Sequence, residues 1–327
     1  MLSAGTTVEL NSCAKCVKFS PDGSVVSIVS EEPIIRIGAL NECGEFFAKC
    51  ITLQLGGDVF DYQFYPGFDA NVSSTCAVLV SSRRRPVQLI SVCDGKILSA
   101  YPAYSPVDEI IHPLCVSFSP MCGSIVGGFA RGLVNVWDVQ RPGKQIFTKS
   151  TNLKGIVGAL SFMAEDSVCV GTYSGSIGIV DIRSKIGTVS IGQHTRDMGG
   201  VVQLATTKDE GIVVSGHRMD KYIRVWDTRK SEIPVMELVR VVKTHQRFQF
   251  ALCPNGKLFT GDHEGTLTGV EKNGDIFLQK EFSSKTPLVA VDVFENRIIT
   301  AAGKREYTHS TPDISVVSLY TYDPHSM

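Results

Sequence analysis

Along most of the chain, apolar and polar residues alternate in runs of four to eight, broken by Gly, Pro, Asp and Ser. A period of two is the signature of half-buried strands, and almost nothing repeats at 3.6 residues, so helix is minor. One phrase recurs as an apolar run ending at a turn: VKFSPDG (17–23), VSFSPMCG (116–123) and FALCPNG (250–256), with looser copies at 61–67, 159–166, 202–211 and 289–296. A second phrase follows each copy: IIRIGAL (34–40), VQLISVCDG (87–95), VNVWDVQ (134–140), IGIVDIR (177–183), IRVWDTR (223–229), LTGVEKNG (267–274) and VVSLYTYD (316–323). From Ile37 to Leu319 the spacing averages about 47 residues over six intervals.

Between the two phrases lies another β-rich run, such as 24–30 or 211–216, and after the second comes a fourth, such as 48–54 or 235–241. Each unit is therefore four short strands. The period is at or just above that of WD40 repeats, and two copies carry the dipeptide itself, Trp137-Asp138 and Trp226-Asp227. Seven such units predict an all-β, seven-bladed WD40 β-propeller spanning 1–327 as one domain, an architecture that leaves only short sheet edges exposed. The seventh unit has three strands, and the β-prone Thr6–Leu10 has no other partner. The N-terminal segment is thus expected to pair with the C-terminal strand and close the ring.

Composition adds boundaries. The 327 residues carry 32 Lys+Arg against 33 Asp+Glu, a net charge of −1, with 43% hydrophobic residues, 16 Phe and 9 Tyr. That is the composition of a chain able to bury a core, not of a disordered one. Near-neutral charge gives no whole-molecule attraction to nucleic acid, so any such affinity must come from local clusters. The first residues lack a cationic start followed by an apolar stretch, and no apolar run reaches the roughly 18 residues of a membrane span, so a soluble intracellular protein with no membrane partner is expected. Ten cysteines fit that setting. Cys76, Cys93, Cys115, Cys169 and Cys253 lie in or beside apolar runs, where a thiol acts as a small buried hydrophobe. Cys13 and Cys16 form a lone CxxC with no second pair at zinc spacing, so no metal is assigned.

His194, Ser215, Asp220 and Trp226 occupy the positions at which a WD repeat sets a buried hydrogen-bonded tetrad. Read as a hydrolase, Ser, His and Asp would be catalytic; but they are spread over two strands and two turns of one blade, where buried polar groups must satisfy each other. No GxSxG elbow, phosphate-cradling glycine loop or HExxH helix occurs, and Glu31-Glu32 and Asp108-Glu109 lie in loops without apolar surroundings to split their pKa values. The expectation is a protein with no catalytic residues and no cofactor.

In a propeller the turns between second and third strands and the connections between blades emerge on one face. Those loops hold thirteen basic and ten acidic side chains, together with His112, His194, His217, His245, His263 and His309. Beside them lie Tyr65, Phe129, Tyr173, Phe248 and Tyr307. Guanidinium groups neutralise phosphate and rings stack on bases, so this face is a candidate for RNA, with a protein partner on the same face as the alternative.

Several segments together resemble the WD-repeat telomerase Cajal body protein family: 58–66 (DVFDYQFYP), 81–90 (SSRRRPVQLI), 103–120 with its insert between blades, 127–137 (GGFARGLVNVW), 141–144 (RPGK), 244–248 (THQRF) and 300–305 (TAAGKR). The resemblance implies a propeller that binds the Cajal-body localisation element of small guide RNAs and telomerase RNA, meets the core proteins of those RNPs, and directs the particles to Cajal bodies in the nucleus. Two departures, Ile90-Ser91 and Val180-Asp181 in place of Trp-Asp, leave the fold expectation intact. Loop census and resemblance together nominate Arg83, Arg84, Phe129, Arg131, Tyr173, Arg218, Arg247 and Arg305 as RNA-binding residues converging on one rim.

Overall fold

The computed structural model describes residues 2–40, 46–105, 107–183, 188–192, 198–207, 211–282, 285–304 and 314–322. Among them are seven antiparallel sheets of four strands and one two-stranded ribbon, Ala103–Tyr104 with Ile110–Ile111. Six sheets take their strands in chain order, blade by blade. The seventh runs Leu288–Phe294, Arg297–Gly303 and Ser315–Tyr322, and its outermost strand is Leu2–Leu10. Leu2 faces Tyr322, Thr7 faces Ser318 and Leu10 faces Ser315, with a slip between Ala4 and Thr7. The expected closure is present, and is longer than the five residues the sequence pointed to.

The apolar alternation explains where the core sits. Each sheet buries both faces against its neighbours, so the core consists of inter-blade layers. Val289, Ile299 and Val317 pack with Val17, Phe19 and Val26 between blades seven and one. Leu79, Val87 and Tyr101 meet Phe118, Ile125 and Trp137 between blades two and three. Ala159, Cys169 and Ile177 meet Val201, Val213 and Trp226 between blades four and five. Each such side chain contributes about 2 kcal/mol of burial.

The innermost strands, including Ala14–Phe19, Val59–Phe64, Cys115–Phe118, Val157–Ala164 and Val201–Thr206, line a central channel with a cavity of about 450 Å³. Their inner edges would leave backbone N–H groups unpaired, which is costly out of water. Side chains of other blades supply the acceptors. Asp61 Oδ2 accepts from Val116 N (3.1 Å), Gln63 Oε1 from Phe118 N (2.8 Å), and Asp292 Oδ2 from Phe19 N (2.8 Å). Gln203 exchanges two bonds with Phe250, and Gln249 two with Val17. These polar residues in otherwise apolar strands therefore bolt the ring together.

The Trp-Asp pairs divide their labour. Trp137 is buried and donates its indole N–H to Pro102 O (2.9 Å). The aspartates cap the next turn: Asp138, Asp181 and Asp227 accept from the N–H two residues on, at Gln140, Arg183 and Arg229. Such Asx turns need the carboxylate but not the tryptophan, which is why Val180-Asp181 still works.

Cys76, Cys115 and Cys169 are buried as expected, but Cys93 is exposed and Cys253 only partly covered, because both lie at strand ends beside turns. Cys13 and Cys16 are buried apart from any metal-ligand cluster among the described residues. Among the described residues no helix is long and apolar enough to cross a membrane.

Candidate nucleic-acid interface

Turns between second and third strands share one end of the propeller with the connections between blades, as alternation of strand direction requires. At that end the channel opens into a recess of about 240 Å³, lined by Phe60, Asp61, Tyr62, Tyr173 and Arg247, among others.

The recess owes its shape to a repeated bulge. The first and second strands slip register at the same place in five blades, between Ala14 and Cys16, Val59 and Asp61, Val157 and Ala159, Val201 and Gln203, and Leu288 and Ala290. A bulge re-aims one side chain out of the period-two pattern. In blade two that residue is Phe60, which lies at the mouth and stacks on His112 with centroids 5.2 Å apart and planes at 11°. In blade four it is Gly158, where a Cβ would lie 2.0 Å from Tyr173 Cε1. Only glycine leaves the seat that Tyr173 occupies.

Arg218 covers the Tyr173 ring, its guanidinium carbon 4.3 Å from the centroid. A Cβ on Gly200 would approach Arg218 Nε to 2.8 Å, so that glycine too makes room for the stack. Arg247 Nη1 reaches across from blade six to Asp61 Oδ1 in blade two, 3.4 Å away. Its Nε is buried with no hydrogen-bond partner among the described residues. Arg84 N donates to His112 Nδ1 (3.3 Å), and burial with the charges of Arg83 and Arg84 lowers the His112 pKa. The Arg218–Tyr173 stack, the Arg247–Asp61 ion pair and the Phe60–His112 stack thus stand at the mouth, with the main chain of Arg84 holding His112.

The nominated residues divide as follows. Arg218, Arg247 and Tyr173 come together at the mouth, and Arg84 joins through His112. Arg83 is 59% exposed and lies 3.4 Å from Asp58, and Arg131 stands exposed at φ 60° in the blade-three turn. Phe129 must be withdrawn. It is only 4% exposed and packs against Trp137, because it directly follows Ser124–Gly128, a strand buried over its last four residues, and stays in the same inter-blade layer. Phe248 is also core, and Tyr65 packs on Phe118 at the opposite end of the inner strand. Arg305, Tyr307 and His309 lie outside the described residues. Tyr173 offers no bare ring, since Arg218 occupies its face. Phe60 was missed; the signal was its place at a bulge position of the inner strand.

The tetrad is likewise rearranged. Trp226 Nε1 donates to Ser215 Oγ (2.8 Å), but the histidine on Ser215 is His217, with Nε2 at 2.8 Å. His217 Nδ1 donates to Gly199 O (2.8 Å), so Nε2 must accept from the serine. His217, expected at the surface, is fully buried because it continues its strand one position further than the turn suggested; His194 lies outside the described residues. Burial, with Arg224 and Arg240 nearby, holds the His217 pKa down to about 4. Asp220 does not reach the imidazole. It accepts from Arg224 Nη1 (2.7 Å), Gly199 N (3.3 Å) and Tyr222 N (3.1 Å), and these bonds outweigh burial and hold its carboxyl low. Ser215 and His217 are sealed from solvent, and the geometry is that of a structural network.

No protein-family model matches the chain. It is 30% identical over 278 residues to human telomerase Cajal body protein 1, covering 80% of this chain and 50% of that protein. The rat protein of the same name is 26% identical over 324 residues (91% and 60%), and the Drosophila melanogaster homolog 27% over 275 (81% and 50%). The chain spans about half the length of the human and fly relatives it matches. Over the propeller the chain is thus similar to the telomerase Cajal body proteins of mammals and fly.

Proposed function

We propose that the propeller is a non-enzymatic scaffold that binds single-stranded RNA on its channel-mouth face and carries small guide RNPs, telomerase RNA among their RNAs, to Cajal bodies in the nucleus. One observation carries the RNA reading: guanidinium groups and rings, Arg218–Tyr173, Arg247 and Phe60–His112, gathered at the mouth beside the exposed arginine turn of blade two. Cations neutralise phosphate while rings and guanidinium planes take splayed bases, which a duplex keeps hidden. The names of the relatives support the destination and the class of particle. A second contact, to an RNP core protein, is favoured by the ribbon beside this face, where Tyr104, Val107 and Ile110 are all exposed.

The test is to crosslink the cellular protein, purify it and sequence the attached RNA, with fluorescence imaging of the tagged chain against a Cajal-body marker. Small guide RNAs and coincident foci are expected. A folded protein that recovers no RNA would leave the protein-docking scaffold in its place.

A further inference from the structure

Resting on that RNA reading, we infer that the channel mouth is a pocket for one unpaired nucleobase, its edge read by the Arg247–Asp61 pair, while the strand's phosphates lie on the exposed turns of blades two and three.

The chemistry of the two places differs. Arg84 and Arg85 in one turn and Arg131 in the next are exposed and have no ion-pair partner among the described residues. They are free charges, suited to phosphate. Arg247 is already neutralised by Asp61, so the floor of the recess carries no net charge. It still has hydrogen-bonding capacity on both sides. Nη1 makes the only hydrogen bond of the Arg247 side chain among the described residues, to Asp61, so Nη2 is left to donate to a ligand. Asp61 uses one lone pair of Oδ1 for Arg247 and one of Oδ2 for Val116 N, so the carboxylate can accept again.

A neutral site with a donor beside an acceptor is a poor match for phosphate. It complements a base edge, which presents acceptor and donor side by side. The walls agree: Phe60, backed by His112, provides a ring, and Tyr173, held by Gly158 and Arg218, flanks the opening. The recess, about 240 Å³, holds a base but not a duplex. Phosphate contacts then position the strand and the mouth selects one nucleotide.

Salt separates the two kinds of contact, because only phosphate contacts release counterions. Binding of a fluorescein-labelled, single-stranded RNA of random sequence is measured across a salt series for the parent, Arg247→Gln and Arg84→Gln. For Arg247→Gln, affinity is expected to fall about tenfold with the slope of log affinity against log salt unchanged. For Arg84→Gln the slope should shrink by about 0.7. Asp61→Asn should reorder the preference among oligo-U, oligo-A, oligo-C and oligo-G without moving the slope, an outcome that a merely structural role would not produce. A slope reduced at Arg247→Gln, or parental affinity and parental base ranking in folded Arg247→Gln and Asp61→Asn, overturns the pocket. Should a variant fail to fold, the parent crosslinked to RNA containing 4-thiouridine decides: adducts on 59–62 or 245–247 support the pocket, and adducts confined to 83–85 and 130–132 refute it. A parent that binds no RNA at any salt instead rejects the proposed function, and this inference with it.

Discussion

Blade five and the channel mouth solve the same problem, polar side chains among apolar strands, in opposite ways. In blade five the partners are local. Trp226, Ser215, His217 and Gly199 close a chain of bonds each 2.8 Å long, all within residues 199–226. At the mouth the partners come from distant blades: Asp61 and Arg247 are 186 residues apart, and their bond is 3.4 Å, with Nε and Nη2 of the guanidinium unpaired among the described residues. A buried network that satisfies every member specifies the fold and has nothing to offer a ligand. One that is half-satisfied and half-open retains hydrogen-bonding capacity for a partner. Residue types alone would rank the two sites the other way, since Ser, His and Asp look catalytic.

Both regions depend on ring closure, and breaking it is expected to have the largest effect. Removing residues 2–10 exposes the edge of Ser315–Tyr322 and the apolar surface around Val317 and Leu319. A stability loss on the order of 5 kcal/mol is expected, read by chemical denaturation; a truncated chain that melts with the parent would contradict it. Next, Trp226→Ala should cost about 3–5 kcal/mol through its cavity and the lost donor to Ser215. Tyr173→Ala, at the mouth, should cost well under half as much and weaken RNA binding. Equal losses would erase the contrast between blade five and the mouth.

Titration sharpens it further. The His217 pKa is about 4 in the fold against an ordinary 6.5, so the unfolded chain takes up a proton that the folded chain refuses. Its contribution is complete above pH 6.5 and lost as pH falls toward 4, about 3 kcal/mol in all. Asp292 runs the other way. Burial, partly offset by the Phe19 and Val293 N–H groups, raises its pKa to about 6 from 3.8. Its contribution is complete below pH 3.8 and lost as pH rises through 6, also about 3 kcal/mol. Between pH 4 and 6 the two nearly cancel. Asp292→Asn should uncover an acid loss over that window, and His217→Gln a gain on acidification; urea midpoints of folded variants measure both. The smallest stability effect is expected for Arg84→Ala with Arg131→Ala, within about 0.5 kcal/mol, alongside a salt slope reduced by about 1.4. Adding Arg247→Ala should raise the stability cost, because Asp61 then loses its counter-ion.

Much of this was open to inspection in the residues. Alternation and a 47-residue repeat need only local order, so the strands, the seven units and the pairing of Thr6–Leu10 with the last strand follow from the chain itself. Trp226 and Ser215 lie on regular strands, where period two tells inside from outside, and both are buried. The failures lie where that parity is reset. A bulge swings Phe60 to the mouth, a strand extended by one residue buries His217, and the end of another draws Phe129 under Trp137. Arg247 is legible in the sequence as a loop cation, yet its partner Asp61 stands four blades away in the chain order and becomes a neighbour only when the ring closes. Local periodicity determined what the blades are; only the closed ring decided which charges stay free and which meet across the channel, because that depends on distances between residues the chain keeps far apart.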